Sequence, residues 1–312
     1  MGGIPATLEA RVTAVLDGLA RGAPLPGSII SLKGGITNQN FRLEEDGQLF
    51  VLRVGGRDTH LLGVDRSHER AASRIAGQLG VGAEVVLVLP DRDAMVTRFI
   101  EGPTLTPETA GEPGTLRRIV ESIRLVHAGS AFPGRFSAFG AARTLHGLAL
   151  ERGVRPPAEL NEALRLLARI EAALPSRDAD VPCHDDLLPG NFIDDGRRIR
   201  IIDWEYAAMG DRFFDLGNLA VNLSLPDAAC EALLAQYFGE ARREDLARLF
   251  LMRMASDMRE CCWGYLSQGI STLDFDFAEY GRRHLDRFLA RAREASFSGL
   301  LELAGRPAAR NS

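Results

Sequence analysis

The hydrophobic period of this 312-residue chain changes once, near residue 100, and that change constrains the fold more than any single motif. Residues 28 to about 100 read mostly as strands with one helix. "SIISLKGGITNQNFRLEE" and "QLFVLRV" cluster β-branched and aromatic residues around an acidic "EEDGQ" turn, which is a hairpin signature. "VDRSHERAASRIAGQLG" carries Ala72, Ile75, Ala76 and Leu79 at helical spacing and stops at Gly80. "EVVLVLP" and "AMVTRFI", joined by "DRD", add two further strands. Past "EGPTL" helical periodicity dominates at residues 115–127, 158–173, 227–237, 243–263 and 276–296, interrupted by one strand-rich piece at 192–203. The expectation is a bilobal α+β protein. Its small antiparallel-sheet lobe with one helix covers residues 1–100, and its larger, mainly helical lobe covers 101–312. No internal repeat is visible, and the first few residues and the tail "GRPAARNS" are expected to be disordered.

A chain of this length buries roughly three quarters of the surface its unfolded form exposes, so it needs neither a metal nor a disulfide staple. Cys183, Cys230, Cys261 and Cys262 form no CxxC pair and have no histidine at finger spacing, which reads as reduced thiols in a cytoplasmic protein. No run of about 18 apolar residues predicts a membrane span, and the N-terminus lacks the pattern of a signal peptide. A net charge of −5 with interspersed signs argues against a nucleic-acid surface and favours a cationic partner.

The chemistry concentrates in "CHDDLLPGNF" and the "DDGRRIRIID" that follows, where a hairpin turn leads into an apolar strand expected to end on Asp203. His184, Asp186 and Asn191 stand as H-x-D-x-x-x-x-N. That is the spacing of a kinase catalytic loop, in which the aspartate accepts a hydroxyl proton, the asparagine binds a metal and a later strand-end aspartate holds magnesium across the nucleotide phosphates. Phosphoryl transfer needs hard oxygen ligands for Mg²⁺, and Asn191 with Asp203 would supply them. Asp186 is left to orient and deprotonate an attacking alcohol. Asp185 reads as a surface or capping group, and His184 as a brace for the loop. Single aspartates gather in loops simply because they make turns there. The ordered set is harder to explain that way, and a glycosidase using Asp186 and Asp203 would leave Asn191 and the sheet lobe without a role.

The stretches "LKGGITNQNFRL", "FVLRV", "CHDDLLPGNF", "IIDWEYAAMGDRFFDLGN" and "CCWGYLSQGISTLDFDFAEY" resemble the choline/ethanolamine kinase family, within the broader group that includes aminoglycoside phosphotransferases and shares a protein-kinase-like fold. The resemblance implies ATP and Mg²⁺ as cofactors, Asp186 as base, and Asn191 and Asp203 as metal ligands. It also implies that Gly34, Gly35 and Asn38 form the turn over the ATP phosphates. Arg53 would replace the usual lysine and pair with Glu69, and "RFIEG" with Phe99 and Glu101 would be the hinge that meets adenine. Asp215 would cap and order the catalytic loop.

Both tryptophans and all four tyrosines lie in the second lobe. A quaternary ammonium has no hydrogen-bond donor and must be held by ring faces and nearby carboxylates. Tyr206, Trp263 and Tyr280 match the family's choline-facing positions, with Glu205 or Asp186 adding negative potential. Leu266 stands where the family often carries a second tryptophan. The expected activity is phosphorylation of the hydroxyl of choline or an ethanolamine-like amino alcohol. An aminoglycoside or thiamine kinase of the same fold is the alternative, and a different class is a nucleotide-binding pseudokinase scaffold, although none of Asp186, Asn191 and Asp203 has been lost.

Overall fold

The structure, a computed structural model, describes residues 4–23, 27–32, 37–56, 58–175 and 179–306. Gly34 and Gly35 lie outside the described residues, as do positions 1–3 and 307–312, on which the expectation of disordered ends rests.

The first layer is a five-stranded antiparallel sheet in the order β1-β2-β3-β5-β4, formed by β1 (Ile29–Leu32), β2 (Asn38–Glu45), β3 (Gln48–Gly55), β4 (Val85–Leu89) and β5 (Ala94–Arg98). The β2–β3 register closes on Glu45 opposite Gln48, leaving Asp46 and Gly47 as a two-residue turn with both φ angles positive, at 51° and 70°. That backbone matches the twist of the flanking strands, which is why Asp-Gly marks it in the sequence. One face of the sheet packs on helix α1 (Leu8–Ala20). Leu8, Val12 and Leu16 meet Phe41, Leu43, Phe50 and Leu52 in a cluster of their own. Helix α2 (Arg66–Gln78) turns Ala72 and Ala76 the other way, into the large helical core. Its start is fixed by Asp65, whose side chain accepts from the Ser67 and His68 amides.

The large layer contains α3 (Pro107–Gly111), α4 (Pro113–His127), α5 (Ala138–Glu151) and α6 (Glu159–Ala173). Two short antiparallel pairs follow, β6 (Val181–Cys183) with β9 (Ala208–Gly210), and between them in the chain the hairpin of β7 (Phe192–Asp194) with β8 (Ile199–Ile201). The chain then continues as α7 (Arg212–Asn222), α8 (Asp227–Phe238), α9 (Arg243–Ile270), α10 (Phe277–Ala292) and α11 (Phe297–Ala304). All five windows read as helical are helices. The segments α1, α3, α5, α7 and α11 escape that reading, and α7 shows why. Its polar Asp215 and Asn218 are buried together with its apolar residues, so the periodicity of its sequence does not mark a core face against a solvent face.

The connection between the layers is stitched to the β7–β8 hairpin. Asp194 donates its amide to the Pro103 carbonyl at 3.0 Å, and Leu105 donates to Phe192 at 2.9 Å. Gly102 makes this possible: its φ is 141°, and a Cβ there would lie 2.1 Å from the Asp194 carbonyl oxygen. Helix α9 runs through the middle, against α5, α7, α10 and α11. Its crossing with α10 is close at Gly264, where a Cβ would lie 3.0 Å from both the Gly281 nitrogen and the Phe277 carbonyl oxygen.

Because neither helix backbone can yield cheaply at that crossing, Gly264→Val should lower stability by about 1–3 kcal/mol in urea titrations. An unchanged denaturation midpoint would contradict the close approach.

Candidate active site

The loop after β6 carries the acidic motif, and it is held from below. Asp215 on α7 is buried and accepts from the His184 and Asp185 amides, both at 2.8 Å, and from His127 Nε2 at 3.0 Å. Asn218, one turn further along α7, accepts from the Leu187 amide at 2.6 Å. Burial alone would raise the Asp215 carboxyl, but its bond to His127 and the surrounding charges and amides hold it below the usual carboxylate range. His127, Cys183 and Asp215 lie close enough to resemble a metal cluster. Asp215 is already engaged by three donors, however, and burial pushes the Cys183 thiol well up, away from the thiolate a metal requires, so this trio is a structural node.

His184 braces the loop across its width. It accepts the Asp186 amide on Nδ1 at 3.2 Å and donates from Nε2 to the Ile202 carbonyl at 3.0 Å, as the neutral ring that burial favours. Asn191 donates from Nδ2 to the Asp186 carbonyl at 2.9 Å, and its own carbonyl accepts from the Ile202 amide at 2.9 Å. Asp186, Asn191 and the residue before Asp203 are thereby tied into one frame. The strand itself stops at Ile201 rather than on Asp203, because Asp203 adopts a left-handed φ of 68° that breaks the extended backbone. Asp185 corrects another expectation. It is fully buried, with φ at 64°, and its carboxyl faces Gly210 of β9, pushed far above the usual range by burial and by Asp215. The left-handed turn swings it inward, so it is neither a surface group nor a cap.

Above this frame the two layers meet in a knot of charge. Arg53 on β3 lies 2.6 Å from Glu69 on α2, 2.5 Å from Asp203 and 3.1 Å from Glu205. Arg66 adds contacts to Glu69 at 2.7 Å and to Glu205 at 3.3 Å. Burial would lower the Arg53 guanidinium, yet its three carboxylate partners hold it above its ordinary value. Glu205 was expected beside a substrate cation and sits elsewhere. Past the turn at Asp203 its carboxylate faces the sheet, accepting from Thr37 Oγ1 at 2.7 Å and Asn38 Nδ2 at 2.8 Å. Asn38 is accordingly the first residue of β2, with its amide group turned to Glu205, and not part of the preceding turn. At the expected hinge, the Phe99 amide donates to the Leu49 carbonyl at 3.0 Å, extending the ladder of β5, and Glu101 is exposed.

On the large-layer side, burial pushes the Asp186 carboxyl up to about 8, with Arg259 opposing the rise and Glu260, Asp203 and Glu205 adding to it. Arg259 Nη1 lies 3.5 Å from Asp186 and also bonds Glu260, which accepts from the Tyr280 hydroxyl at 2.6 Å. Trp263 donates from Nε1 to the Tyr206 hydroxyl at 3.2 Å and packs edge to face with Tyr280, their rings 5.7 Å apart. Tyr206, Trp263 and Tyr280 thus do come together near Asp186, whereas Leu266 is fully buried in the core and Trp204 packs against His184 and Phe132. Arg66, Arg259, Glu260 and His127 were not read from the sequence. The charged "DMRE" within the apolar run of α9 was the available signal, since charges in a helix buried all round need partners.

A small antiparallel sheet above a helical layer, with the H-x-D-x-x-x-x-N loop and Asp203 at their junction, defines a phosphotransferase of the protein-kinase-like class. Residues 28–249 match the phosphotransferase enzyme family. A choline/ethanolamine kinase family protein of Mesorhizobium loti has a similar solved structure. It is 32% identical, with a TM-score of 0.79 over 96% of this chain and 99% of that one. Ethanolamine kinase 2 of Mus musculus is 28% identical over 80% of this chain and 72% of its own. Protein LicA of Haemophilus influenzae is 27% identical over 67% of this chain, and the match spans only 62% of LicA's length. The chain belongs to the choline/ethanolamine kinase family of the phosphotransferase enzymes.

Among the described residues no helix is long and apolar enough to cross a membrane, and the four cysteines are free and buried.

Asp215→Ala would leave buried donors and His127 without their anion and should cost about 3–5 kcal/mol of stability. The folded carboxyl is held below its unfolded value, so its contribution is complete above about pH 4 and fades as pH falls through the folded value. Denaturation midpoints from pH 7 to pH 2 should therefore fall for the wild type and fall less for Asp215→Asn. Parallel curves would contradict the role given to Asp215.

Proposed function

We propose that the protein transfers the γ-phosphoryl group of ATP, with Mg²⁺, to the hydroxyl of a small amino alcohol of the choline and ethanolamine class. The observation that carries this reading is the frame joining Asp186, Asn191 and the turn at Asp203, set directly beneath the Arg53 knot. The donor set suits a hard divalent cation. Asn191 uses its amide nitrogen on the loop and keeps its amide oxygen, and the Asp203 side chain remains 23% exposed although paired with Arg53. Bound magnesium would neutralise phosphate charge and orient the nucleotide. Arg53, positioned by Glu69, offers a planar guanidinium to the phosphates where related folds use a point charge.

Asp186 would orient the acceptor alcohol and receive its proton as the hydroxyl oxygen attacks the γ-phosphorus and the bond to ADP breaks. Its place among Glu260, Asp203 and Glu205 in a buried setting suits a carboxylate that takes up a proton near neutral pH. The net negative charge around Asp186, together with the rings of Tyr206, Trp263 and Tyr280, favours an acceptor that is itself a cation. The kinship with proteins named choline and ethanolamine kinases supports the same class. A soluble protein working in the cytoplasm fits the four buried thiols.

Release of ADP should be stimulated by choline or ethanolamine more than by thiamine or kanamycin. Asp186→Asn should lower that turnover by about 10²- to 10⁴-fold while ATP binding survives. Wild-type turnover in Asp186→Asn would overturn the assignment, and ATP binding without turnover on any amino alcohol would point to a scaffold instead.

A further inference from the structure

Two of the three rings expected to meet a substrate cation already carry a cation of the protein's own. The Arg259 guanidinium carbon lies 4.2 Å from the centroid of the Tyr206 ring, and that of Arg283 lies 5.8 Å from the centroid of Tyr280. Arg259 is not a mobile surface group. Its side chain is 3% exposed, it bonds Glu260, and it lies 3.5 Å from the Asp186 carboxylate. Trp263, the third ring, has the edges or faces of Tyr280 and Phe277 against it at 5.7 Å each.

The two kinds of ammonium differ in what they need from such a set of groups. A quaternary ammonium has no N–H and gains most of its binding from open ring faces. Over Tyr206 it would meet Arg259, a like charge in a desolvated setting. A primary ammonium has three N–H donors and can be held by carboxylates without any ring face. Glu260 already balances the single charge of Arg259, and Asp186 lies beside them as a second carboxyl whose ionised form a bound ammonium would favour, so the site accepts a cation and disfavours an acceptor bearing an anionic group.

We propose that Arg259 is a specificity-determining residue. By covering the Tyr206 face, it makes the acceptor site select alcohols that carry a primary or secondary ammonium over those that carry a quaternary one. This rests on the amino-alcohol kinase reading above. Arg259 acts by excluding one cation and by sharing the carboxylates that hold the other, and no bond to Arg259 is made or broken.

The test compares kcat/KM for ethanolamine and choline in the wild type and in Arg259→Met, alongside binding of two cations that lack a hydroxyl, ethylammonium and tetramethylammonium. The wild type should favour ethanolamine, and Arg259→Met should shift the ratio toward choline by about tenfold, the scale of one desolvated cation–π contact. Arg259→Lys, which keeps the charge, should shift it less. A wild type that favours choline, or a ratio unchanged in Arg259→Met, overturns the proposal. If Arg259→Met is not stabilised by nucleotide and so has failed to fold, the wild-type binding decides. A thermal shift with ethylammonium that exceeds that with tetramethylammonium supports selection, and the reverse order or equal shifts overturn it. Failure to phosphorylate either alcohol, with ethylammonium still preferred, would instead remove the kinase reading and leave the selective cation site standing.

Discussion

Arg53 stands between two hydrophobic cores that do not merge. The sheet and α1 close one core, while α2 contributes its alanines to the helical core, so the junction between the layers is largely polar. Across that junction two guanidiniums, Arg53 and Arg66, meet three carboxylates, Glu69, Asp203 and Glu205. Buried ion pairs of this kind add little net stability, because each charge must be taken out of water, but removing one partner is costly. Their effect is therefore on geometry. They fix the sheet, α2 and the turn after β8 in one relation, and they leave an excess of negative charge that a further cation would relieve.

The large layer fixes its share of the site by a different means. Asp215 and Asn218 hold the loop after β6 by its backbone amides, and His184 and Asn191 fasten it to Ile202. The chemistry-bearing side chains are thus set on a rigid support, and left-handed turns at Asp185 and Asp203 decide which acids point in which direction. The ring cluster beside Asp186 is built largely from α9 and α10, which cross closely at Gly264. That crossing sets the distance between Trp263 and Tyr280, so a packing constraint in the core carries through to the ring cluster beside Asp186.

Much of this was legible in the sequence where a feature is local. The Asp46-Gly47 turn, the alternation in β2 and β3, and the start and stop of α2 depend on neighbouring residues, and they fold as read. The spacing from His184 to Asn191 likewise implied a frame that the hydrogen bonds supply. What the sequence could not give were directions decided by tertiary contact. Asp185 and Glu205 look like their acidic neighbours in one dimension, yet one turns into the core and the other toward the sheet. Helix α7 buries its polar Asp215 and Asn218 along with its apolar residues, so polarity does not tell which of its faces lies inside. The cover that Arg259 places over Tyr206 depends on how α9 lies beside the turn after Asp203, and the "DMRE" segment alone shows only that charge is buried, not where it points.

The claim on which the account most depends is that Asp203, held by Arg53, faces a magnesium-bound nucleotide. Calorimetric titration of ATP into the protein, with Mg²⁺ and with EDTA, tests it directly. The account predicts that Mg²⁺ tightens ATP binding to the wild type and that Asp203→Asn removes most of that gain. Equal tightening in Asp203→Asn, or no effect of Mg²⁺ on the wild type, would contradict it.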